Sequence, residues 1–402
     1  FWLKAPLAQA QPCRAGRPLR SAPSRVAPED RRGPSASSCG AAGCSAMASI
    51  LTSIRQTCSG CDAAICCIGC ASLAPCGIIE RVVDKISFLP PRPPGYHITQ
   101  ESVIYLIESD YGLQPMPDYT ADGITVEAVT MQTRRGNSIQ GFHMRHTSAC
   151  RLRRTLLFSH ANSTDIGIMF RRVVELCARL HVNVFAYEYS GYGECTGTPS
   201  EADIYADVEA AYDHLTTRCG IPGEHIVCYG QSIGTVPSTY LASIAKVGGV
   251  ILHSGMTSGL GVILEVNKDY SFDVFKNAAR LKAVTAPVFV MHGTNDIEIP
   301  FSHGLALYEA CPEEFAYPPW WVTDGGHNDI DINFRQQYFE QLAHYLGALD
   351  AGTWKAEPRQ GPSARLSGSS RRTSLTPREL SRERPGVEPS QECLLTPRAA
   401  EE

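Results

Sequence analysis

The stretch from Ile226 to Gly234, IVCYGQSIG, constrains the fold of this chain more than any other. Its first half is a short apolar run with β-branched and aromatic residues, which reads as a buried strand. Its second half, Gly230, Gln231, Ser232, Ile233, Gly234, is a GxSxG turn. A strand that ends in such a turn and passes into a helix holds its serine in a strained backbone conformation, and the two glycines remove the Cβ atoms that would clash there. Ser232 is therefore expected to project alone at the start of a helix. The backbone N–H of Ile233, at the helix N-terminus, is then placed to meet a developing oxyanion.

Alternating segments surround this turn. Residues 125–131 and 139–144 read as an antiparallel pair joined by a turn at Arg135, Gly136 and Asn137. Short buried-strand runs follow at 155–158, 182–187, 226–229, 249–252, 288–291 and 320–323. Helical patterns at 167–180, 201–215, 235–245 and 334–346 place apolar residues three or four apart. Strand and helix in alternation imply a mostly parallel, doubly wound sheet with helices on both faces, so the expected class is α/β. In such sheets reactive groups lie beyond the carboxyl ends of the strands.

The residues that follow each strand are therefore the informative ones. Ser159, His160, Ala161 and Asn162 follow the first parallel strand, where the second oxyanion donor is expected, and the Asn162 backbone N–H is assigned to it. Asp296 ends a polar turn after 288–291, and His327 sits in a glycine-rich turn after 320–323. The order Ser232, Asp296, His327 is that of an α/β-hydrolase triad. Serine is a poor nucleophile at its own pKa, so His327 is expected to take its proton and Asp296 to orient the ring. Glu298, Asp324 and Asp329 are competing acids, and the last two flank the histidine too tightly to reach its ring. His160, His253 and His292 read as structural or supporting residues.

Composition limits the alternatives. The chain has 402 residues, 43% hydrophobic residues and a formal charge of −5, enough to bury a large core. Its basic residues form no stripe with interleaved aromatics, which argues against a nucleic-acid partner. Sixteen cysteines occur, yet the expected folded region carries them singly and no secretory signal is visible, so a reducing compartment is expected.

Four segments result. Residues 1–46, rich in Ala, Arg, Pro, Ser and Gly, cannot bury a core; they read as untranslated sequence ahead of Met47 or as a transit-like peptide. Residues 47–87 gather Cys58, Cys61, Cys66, Cys67, Cys70 and Cys76 among apolar residues. Two CxxC pairs raise a zinc site, but the loop between them is short and histidine is absent. The uncharged run 63–79 raises a membrane span, at the lower length limit and interrupted by Gly69 and Pro75. S-acylation fits best, because two or more acyl chains anchor stably where one does not. Residues 88–350 form the expected hydrolase domain. Residues 351–402 read as a disordered Ser-, Arg- and Pro-rich tail, in which Arg371, Arg372, Thr373 and Ser374 resemble a basophilic kinase site.

Several of these stretches, FSHANSTDIG at 158–167, YSGYG at 189–193, YGQSIGTVPS at 229–238, FSHGLALYE at 301–309 and GGHNDI at 325–330, resemble the alpha/beta hydrolase domain-containing protein 17 family. The cysteine-rich segment and its Phe88, Leu89, Pro90, Pro91 closure are similar as well. The resemblance implies a membrane-bound protein depalmitoylase with Ser232, His327 and Asp296 as nucleophile, base and acid. It also implies acylated cysteines as the anchor, no cofactor and no metal. S-acylated membrane proteins would be its substrates, at the cytoplasmic face of the plasma membrane or endosomes. Two positions depart from the family pattern: Ala161 replaces a glycine, where a Cβ would narrow the oxyanion loop, and Glu188 replaces an aspartate. The alternatives are a lipid or carboxylic esterase, a peptidase of this fold, or a silent membrane-attached binding module.

Overall fold

The structure is a computed structural model that describes residues 87–108, 112–147, 154–264 and 273–354. The six clustered cysteines, the uncharged run 63–79, residues 1–46 and the kinase-like site all lie outside these residues. Among the described residues no helix is long and apolar enough to cross a membrane.

Three short strands, β1 (Tyr96–Ile98), β2 (Ile104–Glu108) and β3 (Gly112–Pro115), form a small antiparallel sheet. The main sheet has eight strands: β4 (Ile124–Gln132), β5 (Ser138–His146), β6 (Thr155–Ser159), β7 (Asn183–Tyr187), β8 (Ile226–Gln231), β9 (Gly249–His253), β10 (Val288–Gly293) and β11 (Trp320–Val322). Their spatial order is β4-β5-β7-β6-β8-β9-β10-β11. The β4–β5 and β5–β7 pairs are antiparallel and every later pair is parallel. This is the α/β-hydrolase fold. The β4–β5 turn is the expected one, with Gly136 at φ 87°, a conformation that favours glycine.

The helices are α1 (Phe170–Leu180), α2 (Glu201–Asp213), α3 (Thr235–Ile244), α4 (Gly259–Leu264), α5 (Asn277–Leu281), α6 (Phe301–Ala310), α7 (Ile330–Asn333) and α8 (Arg335–Ala351). Because side chains alternate across a strand, the sheet builds two cores. Leu157, Cys228 and Val290 face a layer with Ile204 and Val208 of α2, Leu241 of α3 and Leu307 of α6. Leu156, Val227 and Phe289 face the other layer, with Phe170 and Val173 of α1 and Tyr338 and Leu342 of α8. Strands covered on both faces have no polar side to show, which is why they read in sequence as unbroken apolar runs.

Three helix boundaries differ from the periodicity by two residues or more, and the largest departure is at α8, which runs on to Ala351 past the expected end at 346. The first helix begins at Phe170 rather than Gly167, because the Asp165 side chain accepts from the N–H groups of Gly167 and Ile168 and holds a turn there. The second stops at Asp213 and widens into a π turn, His214–Arg218.

Candidate active site

At the end of β8 the chain makes the turn anticipated for the serine. Ser232 has φ 54°, in the left-handed region that non-glycine residues avoid. A Cβ on Gly230 would stand 2.3 Å from the Gly234 carbonyl oxygen, and one on Gly234 would stand 2.1 Å from that of Ser159. Neither approach is sterically possible, so both glycines are required by packing. A 3₁₀ turn, Ser232–Gly234, leads into α3. Contrary to the expectation of a projecting serine, Ser232 is only 2% exposed.

The structure brings Ser232, His327 and Asp296 together although they come from three separate loops. His327 Nδ1 lies 2.7 Å from Asp296 Oδ2, and His327 Nε2 lies 2.9 Å from Ser232 Oγ. A carboxylate can only accept, so Nδ1 carries the ring proton and Nε2 presents its lone pair to the serine hydroxyl. The other Asp296 oxygen accepts from the N–H groups of Glu298, at 2.9 Å, and Ile299, at 2.8 Å. Burial alone would raise the Asp296 carboxyl. The histidines at 292 and 327, with the Ile299 N–H, outweigh that and hold it well below the usual carboxylate range. His292 Nε2 is 3.2 Å from Asp296 Oδ2, so this histidine supports the acid. His253 meets the Tyr229 hydroxyl at 2.8 Å; burial, with His327 and His292 nearby, pushes it down to about 3, which keeps it neutral.

The competing acids are accounted for. Asp329 accepts from the Gly326 N–H and Asp324 from the Asn295 side chain, so both are engaged away from the imidazole. Glu298 Oε2 stands 4.0 Å from His327 Nε2 and is half-exposed.

Across the site, the loop after β6 is held by contacts that no local sequence pattern announces. Asn162 Oδ1 accepts from Leu89 N–H at 3.0 Å, Tyr192 O–H at 2.6 Å and Ser163 N–H at 3.0 Å, while Nδ2 donates to Ser87 O at 2.7 Å. With its side chain fixed in this way, the Asn162 backbone N–H has no hydrogen-bond partner among the described residues. The Ile233 N–H, in the first turn of a helix, has no intrahelical acceptor. Both expected oxyanion donors are thus open. Ala161 is absent from the residues with positive φ, so the exchange of glycine for alanine strains no backbone there.

The two departures from the family pattern meet at His160, which is fully buried. Its Nδ1 donates to the Ala161 carbonyl at 2.8 Å, and its Nε2 lies 2.7 Å from Glu188 Oε1, a contact that misses hydrogen-bond alignment and acts as an ion pair. Burial lowers the His160 pKa, and Glu188, followed by the Ala161 carbonyl, raises it further, so the net direction is upward. Glu188 also accepts from the N–H groups of Ile166 and Tyr189. The Phe88 to Gly95 segment straps this region. Phe88 packs edge-on against Tyr192 and Phe275, Arg92 donates to the Gly191 carbonyl and Gly95 to Asp165.

No family model matches the chain. Alpha/beta hydrolase domain-containing protein 17B of Xenopus laevis is 40% identical over 288 residues, which cover 70% of this chain and 95% of that protein. The human 17B protein is 38% identical over the same length, and the 17C protein of Mus musculus is 46% identical over 307 residues, covering 70% of this chain and 92% of its own. Among solved structures, an esterase of Pyrococcus furiosus is 16% identical with a TM-score of 0.48, covering 60% of this chain and 97% of that one.

Proposed function

This chain belongs to the alpha/beta hydrolase domain-containing protein 17 family and is a hydrolase, and from that premise we propose that it cleaves fatty-acyl thioesters on protein cysteines through Ser232, His327 and Asp296. The observation that carries the reading is the strained Ser232, whose Oγ is 2.9 Å from a histidine that a buried carboxylate orients. Ser232 Oγ attacks the thioester carbonyl as its proton passes to His327 Nε2. The oxyanion is met by the N–H groups of Ile233 and Asn162. Collapse expels the cysteine thiolate, which takes the proton from His327 and leaves an acyl-serine. Water, deprotonated by the same nitrogen, then releases the fatty acid and restores Ser232. Throughout, Asp296 stays ionised and stabilises the imidazolium. No metal or cofactor enters these steps.

In this reading the enzyme works at the cytoplasmic face of plasma or endosomal membranes, attached through acyl chains on Cys58, Cys61, Cys66, Cys67, Cys70 and Cys76, and its substrates are S-acylated membrane proteins. The test is release of acyl groups from a matched panel of thioester and oxygen-ester substrates, with a fluorophosphonate probe marking the nucleophile. Thioesters should be preferred, and the probe should label Ser232. The Ser232→Ala variant should fall below about a thousandth of wild-type activity, because loss of a triad nucleophile costs about a millionfold and leaves only what binding and an oxyanion hole supply over water. A preference for oxygen esters would make the protein a carboxylic esterase, and failure to label Ser232 in the folded protein would make it a binding module.

A further inference from the structure

Where the end of α2 meets β5, one residue of the strand and two at the ends of the π turn bring three metal-ligand side chains together. We propose that His143, His214 and Cys219 bind a divalent transition-metal ion of the zinc type. Their donor atoms all lie within 4.8 Å of one another. Cys219 Sγ is 3.4 Å from His214 Nε2 and 3.9 Å from His143 Nδ1. With zinc–nitrogen and zinc–sulfur bonds of about 2.0 and 2.3 Å, a tetrahedral ion sets its nitrogen and sulfur ligands about 3.5 Å apart. The two nitrogen–sulfur separations bracket that edge, and the two imidazole nitrogens, within 4.8 Å of each other, would settle at about 3.3 Å around an ion.

The local backbone is built to this end. Around an α-helix, residues five apart differ by about 140° and cannot share a face. Here the chain leaves α2 through the π turn His214–Arg218, in which the Cys219 N–H donates to the His214 carbonyl at 3.0 Å. The wider turn brings the two side chains to one side. Single π turns of this kind recur at functional sites. His143 comes from β5, where it is 2% exposed and packs edge-on against Phe185.

The donors already face positive charge. Arg145, two residues along β5, places its guanidinium 3.3 Å from His143 Nδ1 and pairs with Glu127 at 2.8 Å. Because Arg145 can only donate, Nδ1 presents a lone pair, the form in which imidazole binds metal. An entering ion would displace this half-exposed guanidinium, and Cys219 would release its thiol proton. Two imidazoles and a thiolate suit zinc and its neighbours rather than the oxygen-seeking magnesium and calcium. Three protein ligands leave the fourth position to water. The bound ion would fasten the end of α2 to β5.

The test titrates Zn2+ and Co2+ into the full chain with Cys58, Cys61, Cys66, Cys67, Cys70 and Cys76 replaced by serine, so that the clustered thiols and their CxxC pairs do not compete. One ion per chain should bind, and Co2+ should give a thiolate charge-transfer band. Cys219→Ser should remove the band and His214→Ala should weaken binding more than tenfold, the scale on which metal sites lose affinity when their shells are cut. Arg145→Ala should tighten binding by removing the competing cation. His143→Phe completes the set; should it fail to fold, the two half-buried positions still decide the matter. Absence of binding at excess metal, a band that survives Cys219→Ser, or affinity unchanged by His214→Ala would each overturn the proposal.

Discussion

A buried histidine that donates to a carbonyl from one nitrogen and meets a carboxylate with the other is favoured in its charged form, and at His160 that carboxylate is Glu188. The carbonyl concerned belongs to the Ala161–Asn162 peptide. A trans peptide points its C=O and N–H in opposite directions, so fixing the Ala161 oxygen aims the Asn162 N–H, the proposed second oxyanion donor. Glu188→Gln removes the charge and should lower kcat by about tenfold to a hundredfold, short of the full loss of an oxyanion donor, with KM little changed. Glu188→Asp should keep most of the rate. The sign of the pH dependence follows from the upward shift at His160. The stabilisation is fully present below the unfolded histidine value of about 6.5 and is lost as pH rises through the higher folded value. Melting curves of wild type and Glu188→Gln should therefore converge at alkaline pH. A gap that instead widens with pH would refute the charged pair. His160 and Glu188 are 28 positions apart and sit in two different loops, so nothing in local sequence could pair them. By contrast, Ser232, Asp296 and His327 were legible because each follows a strand and their order along the chain is diagnostic.

Between elements, the tie from α2 to the loop after β7 runs through Asp207. Its carboxylate accepts from Ser190 N–H at 2.8 Å and Ser190 O–H at 2.7 Å. Burial pushes this acid up to about 7, against the lowering effect of the two Ser190 bonds. A raised folded pKa means that folding favours the protonated form. Stability is then fullest below the unfolded value of about 3.9, declines as pH rises, and levels off above about 7. Asp207→Asn keeps an acceptor for the backbone and can donate to the hydroxyl. Its melting temperature relative to wild type should therefore rise between about pH 4 and 7, and a flat difference over that range would show that Asp207 stays ionised. The main strands and α1, α2, α3 and α8 were readable from apolar runs and helical spacing. The small β1–β3 sheet was not: residues 103–107 form an apolar run, but its partner β1 has three residues and β3 is exposed at every position, so nothing beside the run marks a sheet. The π turn escaped notice because Leu215 continues the apolar spacing of α2 while the backbone leaves the α geometry at His214.

For the molecule as a whole, the proposed function gives attachment to acyl chains and catalysis to the hydrolase domain, so the two should separate. Replacing the six cysteines by serine should move the protein to the soluble fraction, and hydroxylamine should do the same to the native chain. Turnover of soluble substrates should be unchanged, while that of membrane-bound substrates should fall as the effective concentration drops. Retention of the serine variant after a carbonate wash would point instead to an inserted segment at residues 63–79. The strap from Phe88 sets a geometric limit on such an attached enzyme. Leu89 is bonded directly to Asn162 and Tyr192, so the chain enters the domain beside the oxyanion loop rather than at its far side. From Cys76 to Phe88 a fully extended chain reaches about 40 Å. An acylated Cys76 would thus work as a leash whose inner end is fixed at the catalytic mouth. Thioesters displayed farther from the bilayer than that reach and the substrate's own tail together allow would be out of range, whatever their chemistry.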